Sequence, residues 1–237
     1  MEKDIYFLKN NVIAHRGIFD NDKIPENSIK AFKDALNKGY AIEFDVHLTK
    51  DKKIVVFHDD VLERMTNKGG YIKDYTFDEL TKTTLLKTKY TIPSLDDVLT
   101  LIDGKVPLLI ELKYDTKHHE LEKELIKKLD QYNGEFAVQS FDPFIVSYFR
   151  FHKKNYIRGL LVSNRKYTFV KKISNSMAFL PLCNPDFLSV YKTMCDNKKV
   201  LKFKASKPVF AWTMKSKEDV KKYCSKFDNI ICNINDC

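Results

Sequence analysis

At 237 residues the chain has the length of one large domain, close to the roughly 250 residues of a single (β/α)8 barrel. Hydrophobic residues at 43%, charged residues at 31% and only seven Gly and seven Pro exclude a disordered, fibrous or membrane-embedded chain and leave no long flexible linker. The net charge of +9 admits an acidic partner, but the lysines are scattered, mostly in short pairs such as Lys52-Lys53, Lys127-Lys128, Lys153-Lys154, Lys171-Lys172 and Lys221-Lys222. With no helix-turn-helix, zinc-finger or RNA-binding signature beside them, solvated surface is the stronger reading and no nucleic-acid partner is expected.

The N-terminal run from Ile5 to Leu8 follows Met1-Glu2-Lys3-Asp4 and is too short and too charged for a secretory segment. No stretch approaches the roughly 18 apolar residues of a membrane span, so no stable membrane anchor is expected. Beyond it, short apolar runs alternate with capped helical patterns, the signature of βαβ units and a parallel sheet. Strands are predicted at Val12 to His15, Ala41 to Val46, Ile54 to His58, Leu108 to Glu111, Phe136 to Gln139, Gly159 to Val162, Phe179 to Leu182 and Val209 to Trp212, with a ninth run from Ile230 to Cys232.

Asn27 and Ser28 are placed to cap a helix whose apolar face is Ile29, Phe32, Ala35 and Leu36, and Gly39 lies where it ends. Thr76 with Glu79, Ser94 with Asp97 and Ser216 with Asp219 have capping-box spacing. Asp142-Pro143 and Asn184-Pro185 put a capping side chain before a proline at the first helical position. Leu121, Leu125 and Leu129 recur at helical spacing ahead of Gly134. The link from Leu48 to Lys53 is too short for the crossover of about a dozen residues that parallel neighbours need, so the second and third runs form a hairpin or one of them is an accessory strand at the barrel mouth. The expected architecture is a distorted (β/α)8 TIM-type barrel in one domain, 1–237, with 59–106 as a small insertion after the third strand. The five cysteines, Cys183, Cys195, Cys224, Cys232 and Cys237, show no C-x-x-C pair and read as free thiols in a reducing compartment, so a cytoplasmic enzyme is expected.

Residues two apart in a strand share a face, so Glu43 projects with Asp45, and Glu111 with Lys113. Unpaired carboxylates inside a barrel are costly, and three converging at its top call for a cation. All-oxygen ligands favour Mg2+ or Ca2+ over softer metals. His15-Arg16-Gly17 follows the first run directly and His58-Asp59 the third, at strand ends where barrel enzymes keep their chemistry. A cation, two imidazoles for proton transfer and the positive charges of Arg16 and Lys113 form the set that phosphodiester cleavage requires.

In order and spacing, the motifs Ala14-His15-Arg16-Gly17, Pro25-Glu26-Asn27-Ser28, Ile42-Glu43-Phe44-Asp45-Val46, Thr49-Lys50-Asp51, Val55-Val56-Phe57-His58-Asp59 and Leu62-Glu63-Arg64-Met65-Thr66-Asn67 closely resemble the glycerophosphodiester phosphodiesterase family. The likeness continues through Ile92-Pro93-Ser94-Leu95, Ile110-Glu111-Leu112-Lys113, Gln139-Ser140-Phe141-Asp142 and Trp212-Thr213, over nearly the whole chain. The resemblance implies a phospholipase C-like barrel in lipid and glycerol metabolism. It also implies His15 and His58 as a general acid and base pair, Glu43, Asp45 and Glu111 as ligands of one divalent cation, Mg2+ or Ca2+, Arg16 and Lys113 as phosphate contacts and Glu26 as an acid near the site. It implies hydrolysis of a small-molecule glycerophosphodiester to sn-glycerol 3-phosphate and an alcohol, with water or the substrate's own 2-hydroxyl as nucleophile.

The chain departs from the family pattern where Met214 is followed by Lys215 instead of Asn, where Cys232-Asn233 replaces Thr-Asp, and at Met65, where Thr is common. Trp212 is placed either to stack on a substrate head group or to join the core. His47 shares a face with Glu43 and Asp45 and is expected in a supporting role; His118-His119 reads as surface. Two other readings remain. One is a lysophospholipase D type activity, with an apolar slot from Tyr71, Tyr75, Phe77, Leu85, Leu86 and Tyr90; the other is a catalytically silent, phosphodiester-binding barrel.

Overall fold

The structure, a computed structural model, describes residues 3–113, 119–164 and 177–237. Lys117, His118 and the Lys171-Lys172 pair lie outside the described residues. Nine strands run in chain order as β1 (Ile13–His15), β2 (Ala41–Leu48), β3 (Ile54–Val56), β4 (Leu108–Leu112), β5 (Phe136–Ser140), β6 (Ile157–Val162), β7 (Phe187–Tyr191), β8 (Val209–Met214) and β9 (Asn229–Cys232). They lie in the order β1-β9-β8-β7-β6-β5-β4-β2-β3, and a further β1–β2 pairing closes eight parallel strands into a barrel. The remaining strand, β3, pairs antiparallel with β2, Val46 opposite Val56 and Leu48 opposite Ile54. The short link therefore forms the hairpin.

Nine described helices accompany the strands: α1 (Tyr6–Lys9), α2 (Ile29–Asn37), α3 (Phe77–Thr81), α4 (Leu95–Ile102), α5 (Glu120–Leu129), α6 (Pro143–His152), α7 (Leu180–Cys183), α8 (Lys198–Lys204) and α9 (Lys217–Tyr223). Their starts follow local chemistry. The Ser28 hydroxyl accepts from Ala31 N at the head of α2, Asp142 caps α6 ahead of Pro143, and full capping boxes open α3 at Thr76/Glu79 and α4 at Ser94/Asp97. At α9, Ser216 accepts from Asp219 N, but the Asp219 carboxylate turns to Lys192 and Lys215 N, so the box is one-sided.

The Phe179 to Leu182 run is a correction: Leu180–Cys183 is helical and the seventh strand in chain order, the sixth of the barrel, is Phe187–Tyr191. Pro181 has no N–H for a ladder and suits the first helical turn. Asn184 takes a left-handed φ of 37° and ends α7, so Asn184-Pro185 closes a helix where it was expected to open one. The expected insertion 59–106 also divides. Residues 59–94 pack Leu62, Met65, Ile72, Leu80, Leu85 and Ile92 against Val55 and Phe57 in a separate cluster, whereas α4 sends Leu95, Val98 and Ile102 into the main core.

That main core lies between barrel and helices, where Phe32, Leu121, Leu125 and Phe149 meet Ile42, Phe44, Ile110 and Val138. The barrel interior is a different set: Ile13, Ala41, Leu109, Ala137, Ile157, Phe187, Phe210 and Ile231, closed by Phe7 and Leu8 of α1. Gly159 makes room there, since a Cβ would meet the Phe187 ring at 2.2 Å. Two residues further along five of these strands the same face turns polar, with His15, Glu43, Glu111, Gln139 and Ser189. The apolar layer thus fills the lower barrel and the upper layer carries the chemistry.

One turn fixes the entrance to that layer. Arg16 (φ 56°) and Gly17 (φ 80°) are both left-handed after β1, and a Cβ on Gly17 would lie 2.7 Å from the carbonyl carbon and oxygen of Ala31. Gly17→Ala is expected to destabilise the protein by more than about 1 kcal/mol, read as a lower urea midpoint; an unchanged midpoint would show that the turn relaxes freely.

Candidate active site

β2 and β4 bring the carboxylates together. Asp45 and Glu111 are register partners across the two strands, Glu43 sits two residues before Asp45, and all three are buried. One oxygen from each lies within 4.8 Å of the others. Lys113, two residues beyond Glu111, sends its ammonium among them, 2.5 Å from Glu111 Oε1 and 2.7 Å from Asp45 Oδ1. The Lys113 ammonium is thus ion-paired with two of the three carboxylates.

Arg16 enters from the turn after β1. Its backbone N–H donates to Glu43 O (2.8 Å) and to Glu43 Oε2 (3.2 Å), while its guanidinium lies 3.3 Å from Asp45 Oδ2 and 2.7 Å from Glu26 Oε1. Asn27, also left-handed at φ 54°, donates from Nδ2 to Asp45 Oδ2 at 2.9 Å. Sequence reasoning gave Asn27 only a capping role; its position beside Ser28 offered no hint of the second one.

These neighbours set the charges. Burial, with Asp45 and Glu111 beside it, pushes the Glu43 carboxyl well up, and burial likewise raises Glu111. At Asp45 burial works in the same sense, but the positive charges of Lys113, His58 and Arg16 outweigh it and hold the group well below the carboxylate range. Burial opposes the Lys113 ammonium too, and Asp45 and Glu111 reverse that. With all three carboxylates ionised, as ligation of a cation requires, Arg16 and Lys113 leave one formal negative charge. A divalent cation makes the balance positive by one, which a phosphodiester monoanion cancels. The all-oxygen donor set, with one oxygen of each carboxylate within 4.8 Å of the others, fits a hard cation held by Glu43, Asp45 and Glu111.

The two histidines reach this layer from different segments, the end of β1 and the loop after β3. His15 ends β1 and its Nδ1 lies 2.8 Å from Asn233 Oδ1, just past β9. Asn233 Nδ2 donates to Asp236 Oδ2 at 3.1 Å, which turns the amide oxygen towards His15. His15 Nδ1 is therefore the protonated nitrogen and Nε2 carries the lone pair. Burial and the Arg16 charge pull its pKa down to about 3. His58 follows β3, which runs back from the mouth: Phe57 N donates to Asp45 O (3.0 Å), bringing His58 to the level of the carboxylates. Its Nδ1 meets Asp59 Oδ1 at 2.5 Å, and a carboxylate only accepts, so here too Nε2 is the available nitrogen. His47 Nε2 reaches the His58 carbonyl oxygen at 3.3 Å, and burial takes its pKa to about 4; it supports the backbone of His58.

Both Glu26 oxygens are occupied by side chains: Oε1 by Arg16 and Arg64, Oε2 by Asn21 and Arg64. Burial alone would raise its pKa; Arg64 and Arg16 bring it to about 2. Trp212, on β8, donates from Nε1 to Ser189 O (3.0 Å) and packs edge-on with Phe141 and Tyr191. Of the residues expected to form an apolar slot, Leu85 is buried and Tyr75, Phe77 and Leu86 pack on the insertion's own cluster, while Tyr71 is exposed. Asp59 was legible as a neighbour of His58. Asn233 and Arg64 were visible in motifs, but nothing in the spacing named what they hold.

The Glycerophosphoryl diester phosphodiesterase family profile matches residues 15–228. The glycerophosphodiester phosphodiesterase of Caldanaerobacter subterraneus subsp. tengcongensis is 41% identical over 140 residues, covering 55% of this chain and 57% of that protein. The enzyme of the same name from Bacillus altitudinis is 40% identical over 109 residues, 43% of this chain and 44% of its own length. The chain therefore spans about half the length of these curated relatives in the matched stretch. Among solved structures, an Oleispira antarctica phosphodiesterase in complex with the product sn-glycerol 3-phosphate superimposes with a TM-score of 0.82 at 24% identity, over 96% of this chain and 94% of its own. The Thermotoga maritima glycerophosphodiester phosphodiesterase gives 0.72 at 25% identity, over 94% and 93%. With the profile running across the barrel from His15 to Asp228, the chain belongs to the glycerophosphoryl diester phosphodiesterase family.

Proposed function

We propose that the protein hydrolyses glycerophosphodiesters to sn-glycerol 3-phosphate and an alcohol, with one divalent cation, Mg2+ or Ca2+, held by Glu43, Asp45 and Glu111. The observation that carries this reading is the pair of imidazoles, each held at Nδ1 by a side chain so that Nε2 remains for proton transfer beside the carboxylate cluster. The product in the Oleispira protein, which shares the fold, supports the same substrate class. A bound cation supplies Lewis-acid chemistry, offsetting charge on the phosphate oxygens. Arg16 and Lys113 add fixed positive charge from either side of Asp45, and Glu26 orients Arg16.

The two histidines divide the proton work. His15, backed by a neutral amide and buried beside Arg16, starts neutral, and its Nε2 lone pair accepts the proton of the attacking hydroxyl, from water or the substrate's own glycerol. His58 gives a proton to the leaving alkoxide, with the Asp59 carboxylate against its Nδ1 to balance the imidazolium charge. Trp212, on β8 beside Phe141 and Tyr191, offers a ring to the substrate. Five free thiols support a cytoplasmic location, and no described helix is long and apolar enough to cross a membrane.

With Mg2+ or Ca2+, purified protein should release sn-glycerol 3-phosphate from glycerophosphocholine or glycerophosphoglycerol; no product from any glycerophosphodiester, with folded protein and metal present, refutes the assignment. Cation binding should raise the thermal midpoint by about 5–10 °C at a hundredfold excess over Kd, reversibly with chelator and not in Asp45→Asn. The shift should shrink as pH falls, because the raised Glu43 carboxyl takes up a proton that competes with the cation; a midpoint indifferent to either ion would count against the site. His58→Ala should lower kcat on glycerophosphocholine by roughly 100-fold or more, yet cost far less on a glycerophosphodiester whose leaving alcohol is p-nitrophenol, while His15→Ala loses both. Equal losses for both variants on both substrates would overturn the division of roles.

A further inference from the structure

The hydrolytic reading leaves Arg64 without a task, although it stands where the insertion meets the barrel. Its guanidinium forks between two carboxylates on different segments. Nε donates to Asp59 Oδ2 at 2.5 Å, while the two terminal nitrogens reach Glu26 at 2.6 Å and 3.2 Å. Each of those carboxylates uses an oxygen to hold one proposed functional side chain: Asp59 Oδ1 meets His58 Nδ1 at 2.5 Å, and Glu26 Oε1 meets Arg16 at 2.7 Å. The result is a continuous chain of charge-assisted contacts, His58–Asp59–Arg64–Glu26–Arg16, which ends 3.3 Å from Asp45.

We infer that Arg64 is a positioning residue whose single guanidinium couples the proton-donating His58 to the phosphate-binding Arg16, an inference that rests on the hydrolase reading above. Geometry gives the reason. Asp59 lies on the loop after β3 and Glu26 on the loop before α2, and among the described residues Arg64 is the side chain bonded to both carboxylates. A planar fork fixes two carboxylates at once, whereas an ammonium is a point charge and holds one at a time with the same geometry. Without the fork, Asp59 has no second partner to fix the plane of its carboxylate, and the His58 ring it orients loses definition. Glu26 keeps Asn21 and Arg16 but loses the cation that balances its second charge contact, so Arg16 is shared less favourably between Glu26 and Asp45. The Arg64 side chain is 45% exposed, so it sits at the rim of the site.

Two separable kinetic effects follow. The arm through Asp59 acts on proton donation and depends on the leaving group; the arm through Glu26 acts on phosphate binding and does not. In the full-length protein with its cation, Arg64→Ala should lower kcat on glycerophosphocholine by about 10–100-fold and raise KM, the range typical of residues that orient a functional group. On the p-nitrophenol-leaving glycerophosphodiester the kcat loss should largely vanish while the KM rise persists. Added guanidinium ion should restore kcat, since the exposed site admits it. Asp59→Asn should reproduce the kcat effect alone. If Arg64→Ala does not fold, Arg64→Lys carries the test, with a leaving-group-dependent loss of about tenfold expected. Values within twofold of wild type in either variant overturn the inference, and so does an equal kcat loss on both substrates without guanidinium rescue, which means that Arg64 merely secures the loop. Failure of the hydrolase reading itself is distinct: wild-type protein then releases no sn-glycerol 3-phosphate, or His58→Ala matches it on both substrates.

Discussion

Three carboxylates on the inner face of a barrel form the constraint to which the rest of the upper layer answers. Glu43, Asp45 and Glu111 are buried, and an uncompensated charge there costs several kcal/mol. Compensation comes from the same strand, through Lys113 two residues after Glu111, and from the nearest turn, through Arg16. That turn is held left-handed at two successive residues, one a glycine packed against Ala31, so backbone conformation and charge balance are parts of one device. With all three carboxylates ionised, one formal negative charge remains, and on it the proposal of a divalent cation rests.

The break in eightfold regularity has the same origin. An ordinary βα unit after β2 would leave its next residues on the outer helix layer. The hairpin instead turns β3 back along β2, so that Phe57 bonds to Asp45 and His58 arrives beside the carboxylates from above. The following insertion then carries Arg64 to the two carboxylates behind His58 and Arg16. Its separate apolar cluster anchors it over the mouth, and the tyrosines and leucines of 71–90 go into that cluster or its surface.

The division between what the sequence disclosed and what it withheld follows the same layers. Strand-end residues with period-two spacing were readable because alternation alone puts Glu43 with Asp45 and Glu111 with Lys113. The seventh strand was not. Ser189 in the middle of Phe187–Tyr191 interrupts its apolar run because that position belongs to the polar inner layer, while the uninterrupted Phe179 to Leu182 run contains Pro181 and is helical. Arg158 and Gly159 hid the start of β6 in the same way, the glycine serving the Phe187 ring. Partners across the fold were beyond reach: His15 meets Asn233 from 218 residues away. Arg64 meets Glu26 from 38, and no local pattern encodes either distance.

Asn233 also gives physical meaning to a departure from the family pattern. Where the resemblance implies Thr-Asp, this chain has Cys232-Asn233, and the side chain at that position is the one bonded to His15 Nδ1. Amide and carboxylate oxygens both accept from the same N–H, so ring orientation and tautomer survive the exchange. Charge does not. A carboxylate would bring a further negative group to a mouth that already holds Glu43, Asp45 and Glu111, and would favour the imidazolium form of His15. The amide supplies the hydrogen bond without the charge, and Asp236, which holds the amide nitrogen, keeps its own carboxylate one side chain further out. His15 and His58 thus share one geometry, an occupied Nδ1 and an available Nε2, and differ in the charge behind it, the difference on which the proposed division of proton transfer rests.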